Sequence, residues 1–205
     1  MEAELVALSE AIGSACRARG LVVATAESCT GGWAAQVITH TAGSSAWFER
    51  GFITYTNVSK TDMLGVRMNT IIRFGAVSPE TAGAMAQGAL EHSRASIALA
   101  ITGIAGPTGG TPEKPVGTVC FGWCWRDAAG GLVAPSCQRR LLAPAARDAC
   151  LTGSRRLACT ESRIGPPSYE VITERRLFSG DRESIRRQAV IHALNGLQER
   201  IRELP

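Results

Sequence analysis

Few folds accommodate short apolar runs that recur between stretches of helical periodicity, and that recurrence governs this chain. Residues 21–26, Leu-Val-Val-Ala-Thr-Ala, are too few for a helix and read as a buried strand. They follow a segment at 4–19 that places Leu5, Leu8, Ile12, Ala15 and Cys16 at helical spacing and stops at Gly20. The run Phe52-Ile53-Thr54-Tyr55-Thr56 predicts a second strand, residues 96–101 a third, and 116 to about 125 a fourth. Between them Asn57 can cap a short helix carrying Lys60. Ser78-Pro79-Glu80 joins a capping hydroxyl, a first-position proline and an early acid, so a helix to about 93 is expected there. A last helix is expected over 181–203, with Ile185, Ala189, Ala193, Leu194, Leu197 and Ile201 on its apolar side. Such alternation is met by a mostly parallel sheet with helices on both faces, so the expected fold is a single three-layer α/β/α domain over residues 1–205.

The remaining composition narrows the partners. With 205 residues, 45% of them apolar and 20% charged, the chain can bury one core and has the balance of a globular rather than a disordered protein. The net charge is only +4 and the arginines are scattered, which gives no nucleic-acid interface. The start, Met-Glu-Ala-Glu-Leu, carries acids where a secretory leader carries bases, and no apolar run approaches the roughly 18 residues of a membrane span. A cytoplasmic protein without a membrane partner is expected. Cysteines at 16, 29, 120, 124, 137, 150 and 159 match no zinc spacing, and His40, His92 and His192 stand alone, so neither metal nor cofactor is expected.

Two features point to chemistry. At Glu27-Ser28-Cys29-Thr30-Gly31-Gly32 a strand ends in small polar residues before a helix expected over about 30–40. Free N–H groups and a helix dipole there favour negative charge, which suits an oxyanion beside a nucleophile at Ser28 or Cys29, or a phosphate, or simply a capped helix start. Glu27 could orient a lysine or favour the dipole. The second feature is that 20 of 22 basic side chains are arginine, leaving Lys60 and Lys114. Arginine stays protonated, whereas a buried lysine can act as a base. A glycine-rich loop, Thr102 to Gly110, follows the third strand, where α/β folds bind ligands, although it matches neither common phosphate-binding pattern.

Residues 127–173 differ in kind. They hold four of the nine prolines and three of the seven cysteines without sustained apolar periodicity. An atypical, disordered insertion is expected there.

The ordered series Thr25-Ala26-Glu27-Ser28-Cys29-Thr30-Gly31-Gly32, Thr54-Tyr55-Thr56-Asn57, Lys60, Gly75-Ala76-Val77-Ser78, Thr102-Gly103-Ile104-Ala105-Gly106-Pro107, Lys114-Pro115-Val116-Gly117-Thr118-Val119 and Gly180-Asp181-Arg182 resembles the CinA carboxy-terminal domain family, the nicotinamide mononucleotide amidohydrolases. The likeness covers residues 1–126 and 174–203. It implies a commonly dimeric α/β domain that hydrolyses the carboxamide of nicotinamide mononucleotide to nicotinate mononucleotide and ammonia without a metal. It further implies Ser28, Tyr55 and Lys60 as catalytic residues, Thr102 and Gly103 in the substrate loop, and Arg182 as a substrate arginine. Family members turn from the Gly-Thr-Val strand to the next within a short connection, from which the 127–173 stretch departs. In chemical terms Ser28 would attack, N–H groups of Cys29, Thr30 and Gly31 would hold the oxyanion, and Lys60 would move the proton directly or through Tyr55. Arg182 suits a phosphate, and Lys114 would shape the loop or neutralise substrate charge. The alternative is a nucleotide-binding or regulatory module of this fold without turnover.

Overall fold

The computed structural model describes residues 2–126 and 169–204. A five-stranded sheet runs in the order β2-β1-β3-β4-β5, with β1 at Val23–Glu27, β2 at Phe48–Ile53, β3 at Ile97–Gly103, β4 at Thr118–Arg126 and β5 at Tyr169–Leu177. β1 is parallel to both β2 and β3, whereas β4 is antiparallel to β3 and to β5. Four strands therefore share one direction and only β4 is reversed, a mostly but not wholly parallel sheet.

Helices cover both faces. One face carries α1 (Ala3–Arg19), α2 (Trp33–His40) and α6 (Arg182–Glu203); α3 (Asn57–Leu64), α4 (Met68–Phe74) and α5 (Pro79–Glu91) cover the other. The period of two in β3 explains how the layers differ. Ile97, Leu99 and Ile101 meet Ile12, Val37 and Leu197, while Ala98 and Ala100 face Met85, Ala86 and Leu90. Small residues on the α5 side let that helix come close. A Cβ added at Gly122 of β4 would sit 2.5 Å from the Ala82 carbonyl oxygen. Each fully buried Leu or Ile contributes about 1.5–3 kcal/mol, so the two apolar layers dominate the stability.

The boundaries depart from expectation where burial is weak. β2 begins at Phe48 rather than Phe52 and is an exposed edge strand, so its apolar pattern is faint. Thr54 to Thr56 lie beyond it. Thr56, not Asn57, caps α3, accepting from Ser59 N while the Ser59 hydroxyl accepts from Thr56 N, both at 3.1 Å. α2 starts at Trp33 rather than 30 because Gly31 and Gly32 hold positive φ, 62° and 96°. α4, seven residues with Ile71 as its buried one, is too short to announce itself by periodicity. Ser78 caps α5 as expected, and α6 starts at Arg182, one residue later than expected, with Asp181 as its cap.

Residues 169–173 lie in β5, not in an insertion, and Arg126 of β4 is the register partner of Tyr169. The rest of the expected disordered stretch, 127–168, lies outside the described residues.

Candidate active site

The three parallel neighbours β2, β1 and β3 end at the same edge of the sheet, where turns 28–32, 54–56 and 104–117 gather. Ligands bind at this edge in open α/β sheets. The Ser28 N–H donates to Ile101 O at 2.9 Å and the Thr54 N–H to Glu27 O at 2.7 Å, so the first two turns are pinned to the strand ends.

Glu27 settles what the turn does with its amides. Its carboxylate is 1% exposed and accepts from Gly32 N (3.0 Å), Ala34 N (3.1 Å) and Ala35 N (2.9 Å). The start of α2 is thus occupied by the chain's own anion, and no side chain of the turn caps it. Neither the dipole nor Gly31 is free for an oxyanion, since the Gly31 N–H donates to Ser28 O at 3.0 Å. Among the described residues, the N–H groups of Cys29 and Thr30 have no hydrogen-bond partner.

Ser28, released from capping, meets Lys60. The Lys60 Nζ lies 3.1 Å from Ser28 Oγ and donates to Thr54 O at 2.8 Å. Lys60 is 1% exposed and Ser28 8%. Among the described residues no carboxylate is within ion-pair distance of this ammonium, and burial pushes its pKa below the ordinary lysine range, the Cys29 thiol raising it slightly in return. The serine and a lysine whose neutral form burial favours are therefore side by side. The Cys29 thiol is pushed up to about 12, chiefly by burial, and stays protonated.

Tyr55 joins a different partner. It is 59% exposed, and its hydroxyl accepts from Arg182 Nη2 at 2.9 Å, while Arg182 Nη1 donates to Gly106 O at 2.7 Å. Arg182 so ties the turns after β2 and β3 to the start of α6. Among the described residues no hydrogen bond links Tyr55 to Ser28 or Lys60.

The remaining expected ligand residues are engaged with backbone. Thr102 Oγ1 donates to Ala76 O at 2.8 Å, and Lys114 Nζ donates to Phe74 O at 2.8 Å and Val77 O at 2.7 Å. Both tie the glycine-rich loop to the turn between α4 and α5. Gly103 is a close-packing position: a Cβ there would meet Val119 Cγ2 at 2.8 Å and Cys29 Sγ at 3.1 Å.

Beside the turn lies an open cavity of about 550 Å³, lined by Thr30, Gly31, Trp33, Gln36, Arg182 and Arg186, with Gly32 and Glu183 completing it. Arg186 was not singled out by the sequence. Its Nε donates to Cys29 O at 3.1 Å and its Nη2 to Thr30 O at 2.8 Å, and its guanidinium stacks 5.3 Å from the Trp33 ring centre. The available signal was its spacing, four residues after Arg182 and so on the same helical face. Among the described residues no group of three His, Cys, Asp or Glu side chains could hold a metal.

Comparison with known proteins gives the chain relatives of one family. The family model of the CinA C-terminal domain matches residues 5–151. The chain is 45% identical over 196 residues to a protein of Escherichia coli strain K12 named nicotinamide-nucleotide amidohydrolase PncC, covering 96% of this chain and 94% of that one. A protein of the same name from Pseudomonas putida is 41% identical over 193 residues, covering 94% of each. Among solved structures, the competence/damage inducible protein CihA from Agrobacterium tumefaciens superposes with a TM-score of 0.72 at 37% identity, covering 98% of both chains.

Proposed function

From the chain's membership of the CinA C-terminal domain family, we propose that it hydrolyses the carboxamide of nicotinamide mononucleotide to nicotinate mononucleotide and ammonia, with Ser28 as nucleophile and Lys60 as proton carrier. The observation that carries the reading is the buried Ser28 Oγ–Lys60 Nζ contact of 3.1 Å. Relatives named for this reaction supply the substrate.

In the free-amine form Lys60 faces the Ser28 hydroxyl proton with its lone pair while still donating to Thr54 O. Ser28 Oγ attacks the amide carbon as Lys60 takes its proton, forming a tetrahedral oxyanion. The unpartnered N–H groups of Cys29 and Thr30 are its donors. Collapse breaks the carbon–nitrogen bond, and the proton on Lys60 passes to the departing nitrogen as ammonia. Water then attacks the Ser28 ester, again giving its proton to Lys60; collapse breaks the bond from the acyl carbon to Ser28 Oγ, Lys60 returns the proton to that oxygen, and the acid leaves. Arg182, held by Gly106 O and Tyr55, is the cation offered to the substrate phosphate. In this reading Lys60 acts directly and Tyr55 orients Arg182; Thr102, Gly103 and Lys114 shape the loop.

The same proposal places the protein in the cytoplasm as a homodimer of single-domain chains. No helix among the described residues is long and apolar enough to cross a membrane. Ammonia release from nicotinamide mononucleotide tests the reading. It should vanish in Ser28→Ala and Lys60→Ala and persist in Cys29→Ala. Unchanged turnover in Ser28→Ala refutes the nucleophile, and binding by calorimetry without ammonia release refutes the enzyme.

A further inference from the structure

Which way a peptide plane faces decides whether an N–H can serve an oxyanion. In a trans peptide the carbonyl and the N–H point in opposite directions, so gripping one aims the other. The stretch from Ser28 to Gly31 contains three such planes. The Ser28 carbonyl accepts from the Gly31 N–H, which fixes the first and third by an internal bond. The middle plane, Cys29 C=O with Thr30 N–H, has no such bond within the turn. Its carbonyl is held from outside by Arg186 Nε at 3.1 Å, and the next carbonyl, Thr30 O, by Nη2 of the same guanidinium at 2.8 Å.

Nothing else described holds that plane. The Thr30 carbonyl also accepts from the Trp33 N–H at 3.3 Å, but that bond holds the following plane, whose N–H is the Gly31 one already fixed. The guanidinium is fixed in turn, because it stacks over Trp33 and its planar fork spans two adjacent carbonyls, which a lysine could not do. With both carbonyls drawn towards α6, the Thr30 N–H points the other way and has no partner among the described residues.

We infer that Arg186 is a positioning residue for the oxyanion site: by holding the Cys29 and Thr30 carbonyls it aims the Thr30 N–H at the oxygen that becomes negative when Ser28 attacks. The inference rests on the amidase reading and adds to it a role for a side chain that never touches the reacting atoms. Since Arg186 also lines the cavity, a simpler role exists, as a second cation for the substrate phosphate. The two differ in what they change. A phosphate contact is made equally in ground and transition states and appears in KM, whereas an oxyanion donor matters only in the transition state and appears in kcat.

The experiment is steady-state ammonia release from nicotinamide mononucleotide by the full chain carrying Arg186→Ala, Arg186→Lys or no change, with and without millimolar guanidinium chloride. Loss of one oxyanion donor costs about 100- to 1,000-fold in kcat; a donor merely loosened should cost at least about tenfold, with KM within about twofold. Arg186→Lys, which keeps the charge and reaches one carbonyl, should fall between wild type and Arg186→Ala. Added guanidinium should restore kcat in Arg186→Ala alone, which a lost packing contact would not show. An unchanged kcat, a loss confined to KM, or a kcat deaf to guanidinium overturns the inference while leaving the amidase reading standing. A wild-type chain that releases no ammonia overturns both. Should Arg186→Ala not fold, the kcat and KM of Arg186→Lys decide by the same criteria.

Discussion

Replacing Glu27 by glutamine changes one oxygen to a nitrogen yet should be among the costlier substitutions in this chain. The carboxylate accepts three backbone N–H bonds, two on Oε2 and one on Oε1, in a site closed to water. A carboxamide has one acceptor oxygen. In its better orientation the oxygen faces Gly32 and Ala34 and the NH₂ group is thrust against the Ala35 N–H. One bond to a charged group, worth about 1.5–3 kcal/mol, is lost outright, and two become neutral bonds weaker by roughly 1 kcal/mol each. The glutamine recovers part of this because a buried charge no longer has to be desolvated. A net loss of about 3 kcal/mol remains, a large share of the 5–15 kcal/mol typical of a domain. At about 2–4 °C per kcal/mol for a chain this long, the midpoint should fall by roughly 6–12 °C in a calorimetric or circular-dichroism melt. A fall of less than about 2 °C would mean that the carboxylate does not hold the start of α2, and the account of the turn would be wrong.

Gly88→Ala places a Cβ 2.0 Å from the Leu64 carbonyl oxygen, driving α5 away from the helix that carries Lys60; a loss of about 2 kcal/mol or more is expected in urea unfolding. The pKa of Lys60 is lowered on folding, so the unfolded chain binds more protons between the folded value and the ordinary lysine value near 10.5, and stability should rise with pH across that interval. Ammonia release should rise with pH through the same folded pKa, and Lys60→Met should abolish both trends. Replacing residues 127–168 by Asn-Gly should leave cooperative unfolding intact, because Arg126 and Tyr169 are facing partners and a two-residue turn joins such a pair; a chain that no longer unfolds cooperatively would count against it.

Local pattern made the central strands and the long helices legible. β1 and β3 are buried on both sides and read as continuous apolar runs, Ser78 announces α5 by short-range capping, and α6 shows in its apolar spacing. β2 was shifted because an edge strand need not be apolar, and α4 was missed because seven residues hold too little periodicity. The reversal of β4 was open to deduction: the connection 104–117 is rich in glycine and proline, and cannot form the crossover helix that a parallel neighbour usually needs. Within the site, Lys60 stood out by the scarcity of lysine, yet its contact with Ser28 spans 32 positions and no spacing rule reaches that far. Glu27 was visible as a residue but not as a cap, since a strand-end carboxylate reaching forward five to eight positions follows no standard capping pattern. Lys114 stood out for the same reason as Lys60, but its carbonyl partners could be found only in three dimensions.

The stack of Arg186 on Trp33 gives the molecule an optical consequence. Of its four tryptophans, Trp47, Trp123 and Trp125 are buried in the core, whereas Trp33 is half-buried on the cavity wall. Among the described residues Trp33 is the tryptophan most open to an aqueous quencher such as iodide, and a ligand filling the cavity shields it. Occupancy is thereby written into the emission of one native fluorophore, without a label and without waiting for turnover.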